Sequence, residues 1–121
     1  MQWLYTVLIF TGGGIGALLR GFMAQNLVIS SNSTFTQTLI INSVGSFIIG
    51  FLWELPLSME WKYFLIVGLL GGFTTFSGFS IEFLQFLQNK TWGLGFIYVI
   101  SSVVLSLLLV WLGNRLYSLF V

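Results

Sequence analysis

The sequence predicts an all-α membrane protein: one domain over residues 1–121, with four transmembrane helices per subunit and the third broken near its middle. Three observations predict it. Hydrophobic residues make up 57% of the chain and charged residues 6%, with a mean hydropathy of +1.01, outside the range of soluble domains. Apolar runs recur that reach the roughly 20 residues needed to cross a hydrocarbon layer of about 30 Å. The third run contains G-L-L-G-G-F-T-T-F-S-G-F-S-I-E, from Gly68 to Glu82. Glycine is a poor helix residue and β-branched threonine loses rotamer freedom in a helix. Non-helical backbone at membrane depth is tolerated only where protein or water covers it. A break there marks the place to look for a site.

The first helix is expected over about residues 3–27. Its N-terminal end lacks the Lys/Arg cluster of a signal peptide, so it reads as a retained helix. Gly12 and Gly16 form a G-x-x-x-G, the spacing that lets two helix backbones approach in lipid, and close packing suffices to explain them. Arg20 lies near the far end. The polar stretch Ser30–Thr34 separates this helix from the second, expected over about 35–55 and ended by Glu54-Leu55-Pro56, because the residue before proline avoids the α region. Asn42, beside Ser43, Gly45 and Ser46, puts an amide at membrane depth. Such a group needs partners, and either an interhelical hydrogen bond or a pore lining would supply them.

Trp61 and Lys62 open the third helix, about 61–87, with the unwound part expected around Gly71-Gly72-Phe73-Thr74. The short turn Gln88-Asn89-Lys90-Thr91 makes the third and fourth helices antiparallel neighbours. The fourth runs over about 92–112, and Arg115 follows it. Tyr98, Ser102 and Ser106 recur at i, i+4 and i+8, on one helix face. Single serines in membrane helices usually bond their own i−4 carbonyl; three stacked hydroxyls favour a polar track.

Absences narrow the function. The chain has no Asp, His or Cys, and its three acids, Glu54, Glu60 and Glu82, lie far apart. Thiol and triad catalysis, Cys/His zinc sites and disulfides are therefore out, and no enzyme is expected. A net charge of +1 offers no patch for nucleic acid. Lys62 and Arg115 fall on one side of the four-helix topology, Arg20 and Lys90 on the other. Orientation follows Lys/Arg bias, and without bias the chain inserts both ways or takes its orientation from a partner subunit. The polar groups at depth also need more cover than four helices provide. An antiparallel, dual-topology dimer with its axis in the membrane plane meets both conditions.

In the central stretch Phe76 and Phe79 bracket Ser77 and Gly78, with Ser80 and Glu82 following. Phenyl edges carry partial positive charge, so two of them can help hold a small anion, with Thr and Ser hydroxyls and the Asn42 amide as further donors. No Lys or Arg lies in the stretch, which suits fast release. The spacing of Phe73, Phe76, Phe79 and Phe83 by itself also fits simple packing. Carbonyls freed at the break, doubled at a dimer axis, would suit a hard monovalent cation such as sodium in a structural role.

Three blocks then resemble the Fluc (CrcB) fluoride channels: G-G-G-I-G-A-L-L-R at Gly12–Arg20, I-N-S-V-G-S at Ile41–Ser46, and G-G-F-T-T-F-S-G-F-S-I-E at Gly71–Glu82. The resemblance implies an antiparallel dimer in a bacterial inner membrane, with two fluoride pores exporting fluoride passively and a central sodium ion. It implies that Phe76 and Phe79 are phenyl-box residues, Asn42 the pore amide, and Tyr98, Ser102 and Ser106 the hydroxyl track. Thr75, Ser77 and Ser80 fall along the same path. Main-chain carbonyls of Gly71 and Thr74 would hold the sodium, and Arg20 would draw anions into a vestibule. The partner is a second copy in the opposite orientation or a paralogous subunit. Gly78 departs from the pattern, which commonly has Thr there. The alternative is a small four-helix proton-coupled multidrug-type exporter, for which Glu82 is the one candidate carboxylate; a holin-like structural bundle would have little use for the polar groups.

Overall fold

The computed structural model describes residues 2–27 and 34–120, and among these the regular structure is all helix, with no strand. The polar loop expected at Ser30–Thr34 therefore lies outside the described residues except at its last position. Among the described residues, four helical spans are long and apolar enough to cross a membrane. α1 covers Gln2–Asn26 and α2 Thr34–Trp53. The third span divides into α3, residues 59–73, and α4, Phe76–Gln88. α5 covers Trp92–Tyr117 and so runs on past Leu112.

The spans associate as two parallel pairs. α1 lies along α3, and α2 lies along α5. Glycine makes each pairing possible. A Cβ at Gly12 would strike the Phe64 carbonyl, and one at Gly16 the Leu69 carbonyl. On the facing helix a Cβ at Gly72 would strike the Gly13 carbonyl, and one at Gly68 would stand 3.0 Å from the Ile9 carbonyl. Two G-x-x-x-G patterns, Gly12/Gly16 and Gly68/Gly72, therefore face each other across a backbone-to-backbone contact. The α2–α5 pair repeats the device with Gly50 against the Val110 carbonyl and Gly113 against the Phe47 carbonyl. At one end Asn114 Nδ2 donates to Glu54 Oε1 at 3.2 Å, placing the loop after α2 beside the end of α5.

Most of α3 is wound as a π-helix, Lys62–Leu70. This wide turn is the segment lying on Gly12 and Gly16, and long π segments are rare and concentrate at functional sites. The core is small: Ile41, Leu70, Phe73 and Tyr98 are its buried large apolar side chains. Exposed Trp, Phe, Leu and Val side chains cover the outer faces, as expected where lipid is the solvent.

A pinned break and a polar cluster

The regular helix of the third span stops at Thr74, whose N–H makes a last bond to the Leu70 carbonyl at 3.0 Å. Thr74 (φ −80, ψ 158) and Thr75 (φ −146, ψ 116) are extended. The break therefore falls at Thr74–Thr75, at the end of the Gly71–Thr74 window. Both residues are β-branched and tolerate extended backbone, but three side chains do the accounting for the freed peptide groups. Asn42 Oδ1 accepts from the Thr75 N–H at 2.8 Å, and Asn42 Nδ2 donates to the Thr75 carbonyl at 3.0 Å. One amide thus replaces both partners that a helix would have supplied. Arg20 Nη1 donates to the Thr74 carbonyl at 3.2 Å. Thr75 Oγ1 accepts from the Gly78 N–H at 2.9 Å, an N-cap that restarts the helix as α4.

Beside the break is a cleft of about 380 Å³. Asn42, Gly45, Ser46, Gly71, Thr74, Thr75, Phe76 and Ser106 line it, with Leu70, Ile49 and Ile66 as its apolar wall. The cleft lies open on the outside of the chain, and Phe76 at its edge is 80% exposed. This chain by itself does not enclose it.

A second polar group lies deeper. Glu82 is only 7% exposed, and its carboxylate accepts from Thr38 Oγ1 at 2.5 Å and from the Tyr98 hydroxyl. The carboxylate thereby ties α2, α4 and α5 together. Aromatic rings connect this group to the cleft: Phe76 to Phe79 at 5.4 Å between centroids, then Phe79 to Tyr98 at 5.4 Å.

The family model for CrcB-like protein, Camphor Resistance (CrcB), matches residues 7–114. The chain belongs to the CrcB-like family. Among its relatives, the fluoride-specific ion channel FluC of Polynucleobacter asymbioticus is 44% identical, with 91% of this chain and 95% of that protein aligned. The protein of the same description from Thermus thermophilus is 43% identical over 91% of each chain. That from Pyrococcus abyssi is 38% identical over 89% of this chain and 91% of its own. The CrcB-like match takes in the break, the cleft and the Glu82 cluster, and stops one residue short of Arg115.

The residues singled out from the sequence fall into separate places in this CrcB-like chain. Asn42, Thr75, Phe76 and Ser106 meet at the cleft, together with Gly71 and Thr74. Phe79 stands between Phe76 and Tyr98. Tyr98 is turned to Glu82, and Ser102 below it is buried with its hydroxyl unpartnered. Ser77 is exposed, 3.2 Å from Thr75 Oγ1. Ser80 is exposed and donates back to the Phe76 carbonyl at 2.9 Å, the usual habit of a lone serine in a membrane helix. The Arg20 guanidinium, expected at a vestibule, is at the break itself. Thr38 was not anticipated. Its signal is a polar line along α2, Thr38, Asn42 and Ser46 at spacings of four, which is one helix face.

Gly71 and Thr74 carry the carbonyls expected to meet sodium. In a continuing helix the Thr75 N–H would bond the Gly71 carbonyl; here it goes to Asn42, which releases that oxygen. The Thr74 carbonyl already accepts from Arg20, so a cation would share its lone pairs with a guanidinium. Neutral main-chain oxygens suit a hard monovalent ion.

Proposed function

We propose that the chain is one subunit of a passive, fluoride-selective channel, built as an antiparallel, dual-topology dimer with two pores, in the inner membrane of a bacterium. The carrying observation is the pinned break, which turns the N-terminus of α4 into a cleft at membrane depth. The first N–H groups of a helix lack intrahelical partners, and the macrodipole puts partial positive charge there. Half-helix N-termini inside a membrane are anion sites for that reason. Kinship with fluoride-specific channels at 38–44% identity gives the anion its identity. The open cleft and the balanced cations support the second, inverted copy.

On this reading fluoride passes from the cleft along the edges of Phe76 and Phe79 to the hydroxyls of helix α5, and its gradient drives export. The C-terminal end of α3 faces the opposite way, with carbonyls and partial negative charge, and that is where a sodium ion would join the two copies through Gly71 and Thr74. The ion would supply charge and cross-linking, not chemistry; the protein is a channel and not an enzyme. The exporter alternative needs a solvent-open carboxylate, whereas Glu82 is buried and bonded through both oxygens.

Purified protein in liposomes should release fluoride, read with a fluoride electrode, and retain chloride. Equal leakage of the two anions, or none, overturns the assignment. Phe76→Ile and Phe79→Ile should each lower fluoride efflux while the dimer persists on size-exclusion chromatography.

A further inference from the structure

Gly45 is buried on α2 and lines the cleft about one turn after Asn42, on the same helix face. A Cβ built there would strike Thr74 Cγ2 and stand 3.5 Å from the Phe73 ring. The Thr74 methyl therefore fills the socket that the missing side chain leaves. The rest of Thr74 is held in place. Its N–H and Oγ1 both donate to the Leu70 carbonyl, at 3.0 and 2.9 Å, and its own carbonyl accepts from Arg20 at 3.2 Å. A threonine Cβ carries hydroxyl, methyl and hydrogen in a fixed order, so a single staggered rotamer turns the hydrogen toward Gly45. That rotamer puts the methyl where the hydroxyl now stands, 2.9 Å from the Leu70 oxygen, closer than a carbon normally approaches a carbonyl oxygen. Thr74 cannot turn aside, so a side chain at position 45 has to push α2 off the break.

We infer that Gly45 is a positioning residue: its socket, filled by the Thr74 methyl, sets the spacing at which Asn42 clamps the Thr75 backbone and fixes the wall of the cleft. Asn42 reaches from α2 to the Thr75 N–H at 2.8 Å and to the Thr75 carbonyl at 3.0 Å. Only one methylene separates its amide from the helix, so the side chain has no slack. A retreat of α2 by about 1 Å takes both contacts past about 3.5 Å, where a hydrogen bond is lost. Gly45 itself offers no group to an ion and acts through Asn42. The effect on conduction rests on the anion-channel reading; the effect on the clamp does not.

The test uses the full-length protein, with amide hydrogen exchange in detergent micelles and anion efflux from liposomes. Gly45→Ala should open the Thr75 amide to exchange and cut fluoride efflux about tenfold, the scale of one lost hydrogen bond. Asn42→Gln adds one methylene, so by itself it overreaches and should also unprotect Thr75. In the wider gap the longer side chain fits. Gly45→Ala/Asn42→Gln should therefore protect Thr75 and conduct several-fold better than either single variant, a coupling of contacting residues. Gly45→Ala/Thr74→Ser takes the methyl out of the socket and should restore Thr75 protection with Asn42 in place. A glycine serving packing alone would give losses that add in the Asn42→Gln pair. Additive losses there, a protected Thr75 amide in Gly45→Ala, or no recovery in the Thr74→Ser pair each overturns the inference and leaves the channel assignment intact. If Gly45→Ala does not fold, the two double variants should, and misfolding of either overturns the inference. If the wild-type protein passes no fluoride, the channel reading falls, and Thr75 exchange across the same variants decides the clamp.

Discussion

The two halves of the third span are held by opposite means. α3 is held through its backbone: Gly68 and Gly72 lie directly on Gly12 and Gly13 of α1, and Gly16 of α1 lies on the Leu69 carbonyl and the Phe73 N–H. α4 is held through side chains, by Thr75 at its start and by Glu82 between Thr38 and Tyr98. The difference follows from what each half does. Backbone contact in lipid is tight and leaves little freedom, because there is no gap to vary. Side-chain bonds are directional and hold the helix at chosen points, leaving aromatic and hydroxyl faces free. A rigid strut thus ends at the break, and a half-helix hung from polar pegs carries the face that meets the cleft.

Breaking the strut should have the largest effect. Gly16→Val would drive a branched side chain into the Leu69 carbonyl, and overpacking on this scale costs about 3 kcal/mol. The protein should lose its thermal transition in detergent or fail to accumulate; normal melting would mean that α1 can slide away from α3 and that the strut is soft. Next comes the joint. Asn42→Ala strands the Thr75 N–H and carbonyl at membrane depth, at about 1–3 kcal/mol for groups left unsatisfied. It should lower the melting temperature and abolish selective efflux together, since the break is no longer pinned. Retained efflux would return Asn42 to a packing role.

The smallest effect belongs to the pegs. Glu82→Gln keeps the size and one good acceptor for Thr38 or Tyr98, and should cost about 1 kcal/mol, in line with interhelical hydrogen bonds in membranes. Thr38→Val, which removes a single donor, should cost no more than that. A loss as large as that of Gly16→Val would mean that α4 is as rigidly held as α3, and the contrast between the halves would collapse.

The four spans and the weak point of the third were legible in the sequence, because both depend on local composition: apolar runs set length, and Gly71-Gly72 followed by Thr74-Thr75 sets where a helix is least favoured. The pairing of helices was less so. Gly12 and Gly16 read as a packing motif, but the facing pair Gly68/Gly72 was obscured by sitting inside the stretch that also breaks. Glu82 had a role only in the exporter alternative and none in the channel, because its partners are 44 and 16 residues away in the chain and no local rule links them. Asn42 left two readings open, and the structure shows its amide spent on the Thr75 backbone at the edge of the cleft, so that clamp and cleft wall are one residue.

By itself the sequence determined that this chain lives in a membrane, crosses it four times and carries a break in the third crossing, since these are properties of transfer free energy and helix propensity summed over neighbouring residues. Only the tertiary structure decided which peptide groups at Thr74 and Thr75 are released, which are recaptured by Asn42 and Arg20, and that the Glu82 carboxylate joins three helices. Hydrogen bonds are made between groups that folding brings within about 3 Å, and their partners are chosen by helix packing, not by distance along the chain.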